Sequence, residues 1–496
     1  MNKRTDLLAR ASKNWEAMDN FRSERNRCKR YTYGRQWDDN IIVDGSPVKE
    51  EEYIRSQGNI PLKNNLIRRI VRNVLGVFRN QMPDLSSLIS SHSPDPAFVE
   101  RFKLIADAND LEELYSRTME EFLISGLAVH RKWRGRRSGQ SGCWTEYVNP
   151  DFFFIDSDMR DFRGWDASMV GELHDVSFNE LASRLADSPE SLLRLKNIYS
   201  LCDQLSSDPT SANPFGEDSG SISFLRPSAP GRCRVIEILE RTAVPMIRIH
   251  DSRDGTLKRM EAQSAESFIK HENELRLREA ELAGRDSETV PLLKGKWILE
   301  EKWQYFFLSP LGDVLAQGES PYSHRSHPYV FKAYPFIDGE IHSFVSDLID
   351  QQRYINRLVT LYDWIMRASA KGVLLFPEGS LPEGVNIDDI SSEWSRFNGV
   401  ILFKPKPGTP LPQQISGNAT NIGITDLLNV QLKMMEDVSG VNSALQGKLD
   451  SGAVSGTLYN QQTRHALTGL LDILQSFNAF ISDCTEKDIV NLTAGK

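Results

Sequence analysis

Between residues 341 and 370, apolar side chains recur at Ile341, Phe344, Val345, Leu348, Ile349, Ile355, Leu358, Val359, Tyr362, Ile365 and Met366. Steps of three and four are the helix period, so the pattern predicts one long helix. Neither Pro nor Gly interrupts it, and Gly372 stands where a helix stop belongs. At 1.5 Å per residue the rod is about 45 Å long, well beyond the globular average. A compact strand-and-turn segment follows, then a shorter helical pattern, the Gly/Ser-rich GKLDSGAVSGT and another long helical pattern. The plain reading is a helical hairpin domain with a β insertion.

Upstream, residues 5–36 read as a helix dense in Arg and Lys, with Tyr31, Tyr33 and Trp37 around Gly34 where it ends. A second helix is predicted from Leu62 to Gln81, apolar on one side and bearing Arg68, Arg69, Arg72 and Arg79 on the other. A third, Ala97 to Ile124, closes at Gly126. There the period changes to two: LAVHRKWRG and CWTEYVNPDFFFID predict paired strands. Ser177 and Glu180 form a capping box ahead of a short helix. Residues 203–232 carry no core pattern and read as a flexible connection. Strand-like alternation returns at RCRVIEILERTAVPMIRIHD, followed by a charged amphipathic helix over 256–285 and a hairpin from KWILEEKW onwards.

Composition narrows the class. The chain has 496 residues, 26% charged and 40% hydrophobic, an ordinary globular balance with room for two to four domains. Its net charge of −9 argues against a protein that holds nucleic acid by neutralising phosphates. It is compatible with DNA that must slide past without sticking. Five scattered cysteines, Cys28, Cys143, Cys202, Cys233 and Cys484, indicate reduced thiols rather than a disulfide frame or a zinc site. No apolar run is long enough to span a membrane, and MNKRTDLLARASKNW is no signal peptide.

Motifs for chemistry are missing. Gly447-Lys448 lacks the remainder of a P-loop, and HExxH, GxSxG and GxGxxG do not occur. His324 and His327 have no acidic or Cys partner at ligand spacing and read as a turn before Pro328. Asp347, Asp350 and Asp363 read as the wet face of the long helix, beside Arg353, Arg357 and Arg367. The expectation is a non-enzyme without cofactor or metal. A helical adaptor acting through the 256–285 helix and the long helix is the alternative.

Four passages carry a resemblance to the portal proteins of tailed bacteriophages, closest to the short-tailed type. HPYVFKAYPFIDGEIHSFVSDLIDQQRYINRLVTLYDWIM resembles that family's approach to its first stem helix, with its Asn at Asn356. Residues 371–424 sit where portals have the clip. MMEDVSGVNSALQGKLDSGAVSGTLYNQQTRHAL is similar to the second stem helix, the tunnel loop with its Ser455-Gly456 and the following helix. VNPDFFFIDSDMRDFRGWDASMV is similar to the wing.

The resemblance implies an α+β portal fold. Its parts would be an N-terminal helical part of the wing over 1–96 and an α/β wing with insertions over 97–340. A first stem helix over 341–372, a clip over 373–423 and a second stem helix over 424–441 would follow. Then come a tunnel loop over 442–457, a long helix over 458–486 and the C-terminal end over 487–496, the crown absent or truncated. It implies a homo-oligomeric ring, usually of twelve copies, at one capsid vertex, in the virion after assembly in the host cytoplasm. Double-stranded DNA would pass non-specifically. Terminase large subunit, capsid and scaffolding proteins, and head-completion or tail adaptor proteins are the implied partners. Gln446, Lys448, Asp450, Ser451 and Ser455 are expected near DNA. Phe344, Leu348, Ile355, Leu358, Tyr362 and Ile365 are expected to pack between subunits, and Trp394, Lys404 and Lys406 to meet a clip partner. The short clip strands VLLF and GVILF are expected to pair with a neighbour's.

Overall fold

The computed structural model describes residues 3–83, 89, 95–137, 139–206, 222–284, 290–322, 324–371, 373–377, 381, 384–395, 400–404, 407–408, 410–415, 423–441, 445 and 456–493. Helix and sheet are mixed, the α+β class. In chain order come α1 (Lys3–Ala17), α2 (Asp19–Thr32), β1 (Asn40–Val43), β2 (Ser46–Lys49), α3 (Glu50–Ser56) and α4 (Leu66–Gln81). Then follow α5 (Pro96–Ala108), α6 (Leu111–Ser125), β3 (Leu127–Arg137), β4 (Gln140–Tyr147), β5 (Phe153–Ile155), β6 (Met169–Ser177), α7 (Phe178–Leu185) and α8 (Pro189–Ser206). Next are β7 (Arg232–Asp251), β8 (Leu257–Glu261), α9 (Ala262–Leu282), β9 (Leu293–Leu308), β10 (Val314–Glu319), β11 (Tyr329–Ala333), β12 (Phe336–Ile337) and β13 (Glu340–Ile341). The last are α10 (Ser346–Lys371), β14 (Val373–Leu375), α11 (Ile387–Ser395), β15 (Gln413–Ile415), α12 (Ile424–Ser439) and α13 (Gly456–Thr493).

The chain divides into two compact units, the first made of residues 1–29, 71–346 and 460–496. Its larger sheet runs β10-β9-β7-β6-β5, with β8 added to β7, and its smaller one runs β11-β3-β4. Trp15 of α1, Phe153 and Phe154 of β5, and Ile236 and Ile238 of β7 fill the main core. Trp15 meets Phe154 edge-on at 6.2 Å, the geometry that aromatic quadrupoles favour. Ser177 Oγ accepts from the Glu180 N–H at 3.2 Å and starts α7. Helix α6 stops at Gly126, whose φ of +78° suits glycine; a Cβ there would stand 1.8 Å from the His342 carbonyl oxygen. On α13, Phe477 packs on Phe78 and Phe122, and Phe480 packs on His130.

Several element boundaries differ from the sequence expectation, among them the starts of two helices. Residues 257–261 are strand β8 rather than the start of the 256–285 helix, because they complete pairs with β7 from Met246 to His250. The long helix begins at Ser346, not 341. Glu340–Ile341 pairs with Phe336–Ile337, and Ser343 Oγ accepts from the Ser346 N–H at 3.0 Å. Phe344 therefore precedes the helix on which it was expected. Period alone cannot locate such a start, since capping and pairing decide it.

The second unit comprises residues 30–70 and 347–459. It holds the β1–β2 hairpin, α3, α11, α12 and nearly all of α10. Val373–Leu375 pairs antiparallel with Gln413–Ile415. Val400–Phe403, the described part of the expected strand GVILF, is irregular in the single chain.

Candidate functional site

Helix α10 is held by a polar stripe. Gln352, Asn356 and Thr360 recur every four residues, on one side of the helix, and all three are buried. Gln352 Oε1 accepts from the N–H groups of Leu66 (2.9 Å) and Ile67 (3.3 Å), the first of α4. A helix start leaves such donors without an intrahelical partner, so Gln352 caps α4 from a distance. Asn65 Oδ1 accepts from the Arg68 N–H at 3.0 Å and completes the cap. Gln352 Nε2 donates to the Asn64 carbonyl (2.6 Å) and to Asn356 Oδ1 (3.0 Å). Asn356 in turn accepts from the Asn64 N–H (3.1 Å) and donates to Gln36 Oε1 (2.7 Å). Thr360 Oγ1 accepts from the Leu62 N–H at 3.1 Å. Beside this stripe the buried Glu50 carboxylate bonds Arg353 (2.9 Å) and Arg357 (2.6 Å), one helical turn apart.

The expected intersubunit residues separate into two sets. Leu348, Ile355 and Leu358 are at most 5% exposed in the single chain. These three side chains are covered in the single chain. The apolar period shows that a face is covered, not which chain covers it. Tyr362 is exposed and Ile365 half-buried. Helix geometry puts Tyr354, Leu361 and Trp364, 42–48% exposed, opposite Gln352. Leu361, Trp364, Trp37, Tyr53 and Ile54 line a groove of about 280 Å³ whose walls include Glu50 and Arg357. A second apolar stripe, Leu427, Val430, Met434 and Val438, is exposed on α12.

Of the residues expected to meet a clip partner, Lys404 is exposed and Trp394 on α11 is half-buried. Lys406 and the residues expected near DNA, Gln446, Lys448, Asp450, Ser451 and Ser455, lie outside the described residues.

In the first unit, Glu172, His174 and Glu237 bring three ligand-type atoms within 4.8 Å of one another. Arg131 Nη1 stands among them, 2.8 Å from Glu237, 3.5 Å from Glu172 and 3.5 Å from His174. The guanidinium thus supplies the cation, and the group reads as an ion-pair network joining β3 to β6 and β7. Burial works to raise the Glu237 carboxyl, yet Arg131 and His174 overcome it and hold it at about 2. Burial opposes the charged form of His174, but Glu172 and Glu237 outweigh it and raise its pKa. His324 and His327 behave as a turn: His324 Nδ1 accepts from the Ser326 N–H at 3.1 Å, and burial lowers both imidazoles.

The pattern reading singled out neither Gln352 nor this network, and it also passed over the buried pair Lys132–Asp488, Nζ to Oδ2 at 2.5 Å. The signal for the last was a lysine inside the apolar strand LAVHRKW. Nothing local marks Gln352, whose partners lie some 286 positions away.

No described helix is long and apolar enough to cross a membrane. A comparison with curated proteins finds no match. Residues 8–489 match the family described as Phage P22-like portal protein. With nearly its whole length matched, the chain belongs to the phage P22-like portal protein family.

Proposed function

We propose that the chain closes into a ring of twelve copies at one capsid vertex, the conduit through which DNA is packaged and later ejected. Terminase large subunit docks on the clip during packaging, and head-completion or tail adaptor proteins replace it. Capsid and scaffolding proteins surround the wing, and the ring assembles in the host cytoplasm before it becomes part of the virion. DNA passes nearest the segment that carries Lys448 and Asp450, which together supply little net charge, and this suits sliding rather than grip. The reading carries no catalytic step, in keeping with a family that is structural in general.

The observation that carries the ring is the pair of exposed apolar faces in the second unit. A head-to-tail ring needs two different complementary patches on every copy. The Tyr53/Leu361/Trp364 groove and the α12 stripe of Val430 and Met434 supply them. Negative-stain imaging and light scattering of the purified protein test the proposal: rings with a central hole are expected. A monomer at every concentration and salt sinks it. Trp364→Asp is expected to abolish rings while leaving a folded chain, because it charges an exposed contact. Leu348→Asp is expected to unfold the chain instead, because it buries a charge. Wild-type rings from Trp364→Asp would show that this face is not the contact.

A further inference from the structure

The distal half of β7, with β8 on one side and β9 on the other, forms a three-stranded ribbon. Helix α9 covers one face through Ala265 and Ile269, packed on Ile247, Ile249 and Leu293. Register fixes what the other face carries. Arg259, Arg248 and Lys296 lie directly opposite one another in one row, and Leu257, His250 and Lys294 form the next. Like charges opposed across strands destabilise a sheet, and strands stand about 4.8 Å apart. Arg259 bonds Glu300 at 2.9 Å, and Glu261 lies in the row beyond. Among the described residues, Arg248, Lys294 and Lys296 make no ion pair. A row of cations held in register without matching acids is a surface waiting for external negative charge.

We infer that this face binds an extended acidic segment of a protein partner. Two features favour a peptide over nucleic acid. Apart from the His250 imidazole, the two rows hold no aromatic side chain on which a base could stack, since Trp297 lies in the Ile247 row on the α9 side. The overall charge of −9 repels a duplex at long range. Spacing agrees: alternate carboxylates of an extended chain recur every ~6.6–6.8 Å, the offset between rows of a sheet. Among the described residues β8 pairs only with β7, so its outer edge is open to an added strand.

The test uses the full-length protein and a fluorescent alternating Glu–Thr peptide, read by anisotropy at physiological salt, with a short DNA duplex as second probe. The triple variant R248Q/K294Q/K296Q is expected to weaken peptide binding about tenfold, the loss of three surface charge contacts. Its Tm is expected to hold or rise, since repulsion is relieved. Lys258→Gln, in the Ile249 row on the opposite face, is expected to leave binding unchanged. Equal peptide affinity for wild type and triple variant, or none for the wild type, overturns the inference; the cations would then serve only to keep β8 from pairing with other chains. An equal loss in Lys258→Gln, a fall in Tm in the triple variant, or loss confined to the duplex overturns it as well.

Discussion

Replacing Gln352 by Ala removes one side chain that serves two segments at once. Its Oε1 is the acceptor for the first N–H groups of α4, and its Nε2 is the donor to the Asn64 carbonyl. Asn356 Oδ1 keeps the Asn64 N–H and is not orphaned. A buried polar group left without a partner costs about 1–3 kcal/mol. The Leu66 N–H and the Asn64 carbonyl keep each other at 2.9 Å, so the Ile67 N–H is the group left without an acceptor. Water entering the vacated polar space recovers part of this, while the hydrogen bonds lost at Leu66 and Asn64 add to it, leaving a loss of about 2 kcal/mol. For a unit of this size that is a fall in Tm of about 4–8 °C. Thermal and urea unfolding, followed by circular dichroism at matched protein concentration, would measure it; matching matters because assembly makes Tm concentration-dependent. Tyr354→Ala, on the exposed side of the same helix, is the reference and should change stability little. A loss in Gln352→Ala below about 0.5 kcal/mol, equal to that of Tyr354→Ala, would refute the capping role and leave Asn65 as the sufficient cap.

Two further outcomes follow from the first unit. Lys132→Met leaves the Asp488 carboxylate buried and unpaired and should destabilise by about 3–5 kcal/mol. Adding Asp488→Leu should recover much of the loss in denaturant unfolding, and no recovery would mean that the pair has other partners. The seam around Arg131 should depend on pH at both ends. His174 has a folded pKa above its ordinary 6.5, so its stabilisation is complete below that value and fades as pH rises through the raised one. Glu237, lowered from 4.5 to about 2, stabilises above 4.5 and loses this as pH falls toward 2. His174→Gln should therefore cost more stability at pH 6 than at pH 9, and Glu237→Gln should flatten the acid limb; unfolding curves across pH read both.

Much of the architecture was legible locally. The α10 period, the capping box at Ser177 and Glu180 and the alternation of β3 and β7 are each short-range patterns with a short-range cause. Boundaries were less so. Residues 257–261 have a helix-compatible pattern and become a strand because β7 offers a ladder to pair with. There long-range pairing overrides a weak local preference. Val400–Phe403 has strand-like residues yet is irregular in the single chain.

The polar residues show the same division more sharply. An amphipathic period determines by itself that α10 has a face to bury, since uncovered apolar area is unfavourable in any context. The order of long helix, small excursion, helix and long helix was likewise readable along the chain and carried the portal resemblance. Only the tertiary structure decided that Leu348, Ile355 and Leu358 are covered within the chain and that Tyr354, Leu361 and Trp364 remain free. Only it paired Gln352 with the start of α4, Arg131 with Glu237 and Lys132 with Asp488. The physical reason is common to all three. A hydrogen bond or ion pair forms between groups brought within about 3 Å, and sequence distance carries no information on that separation.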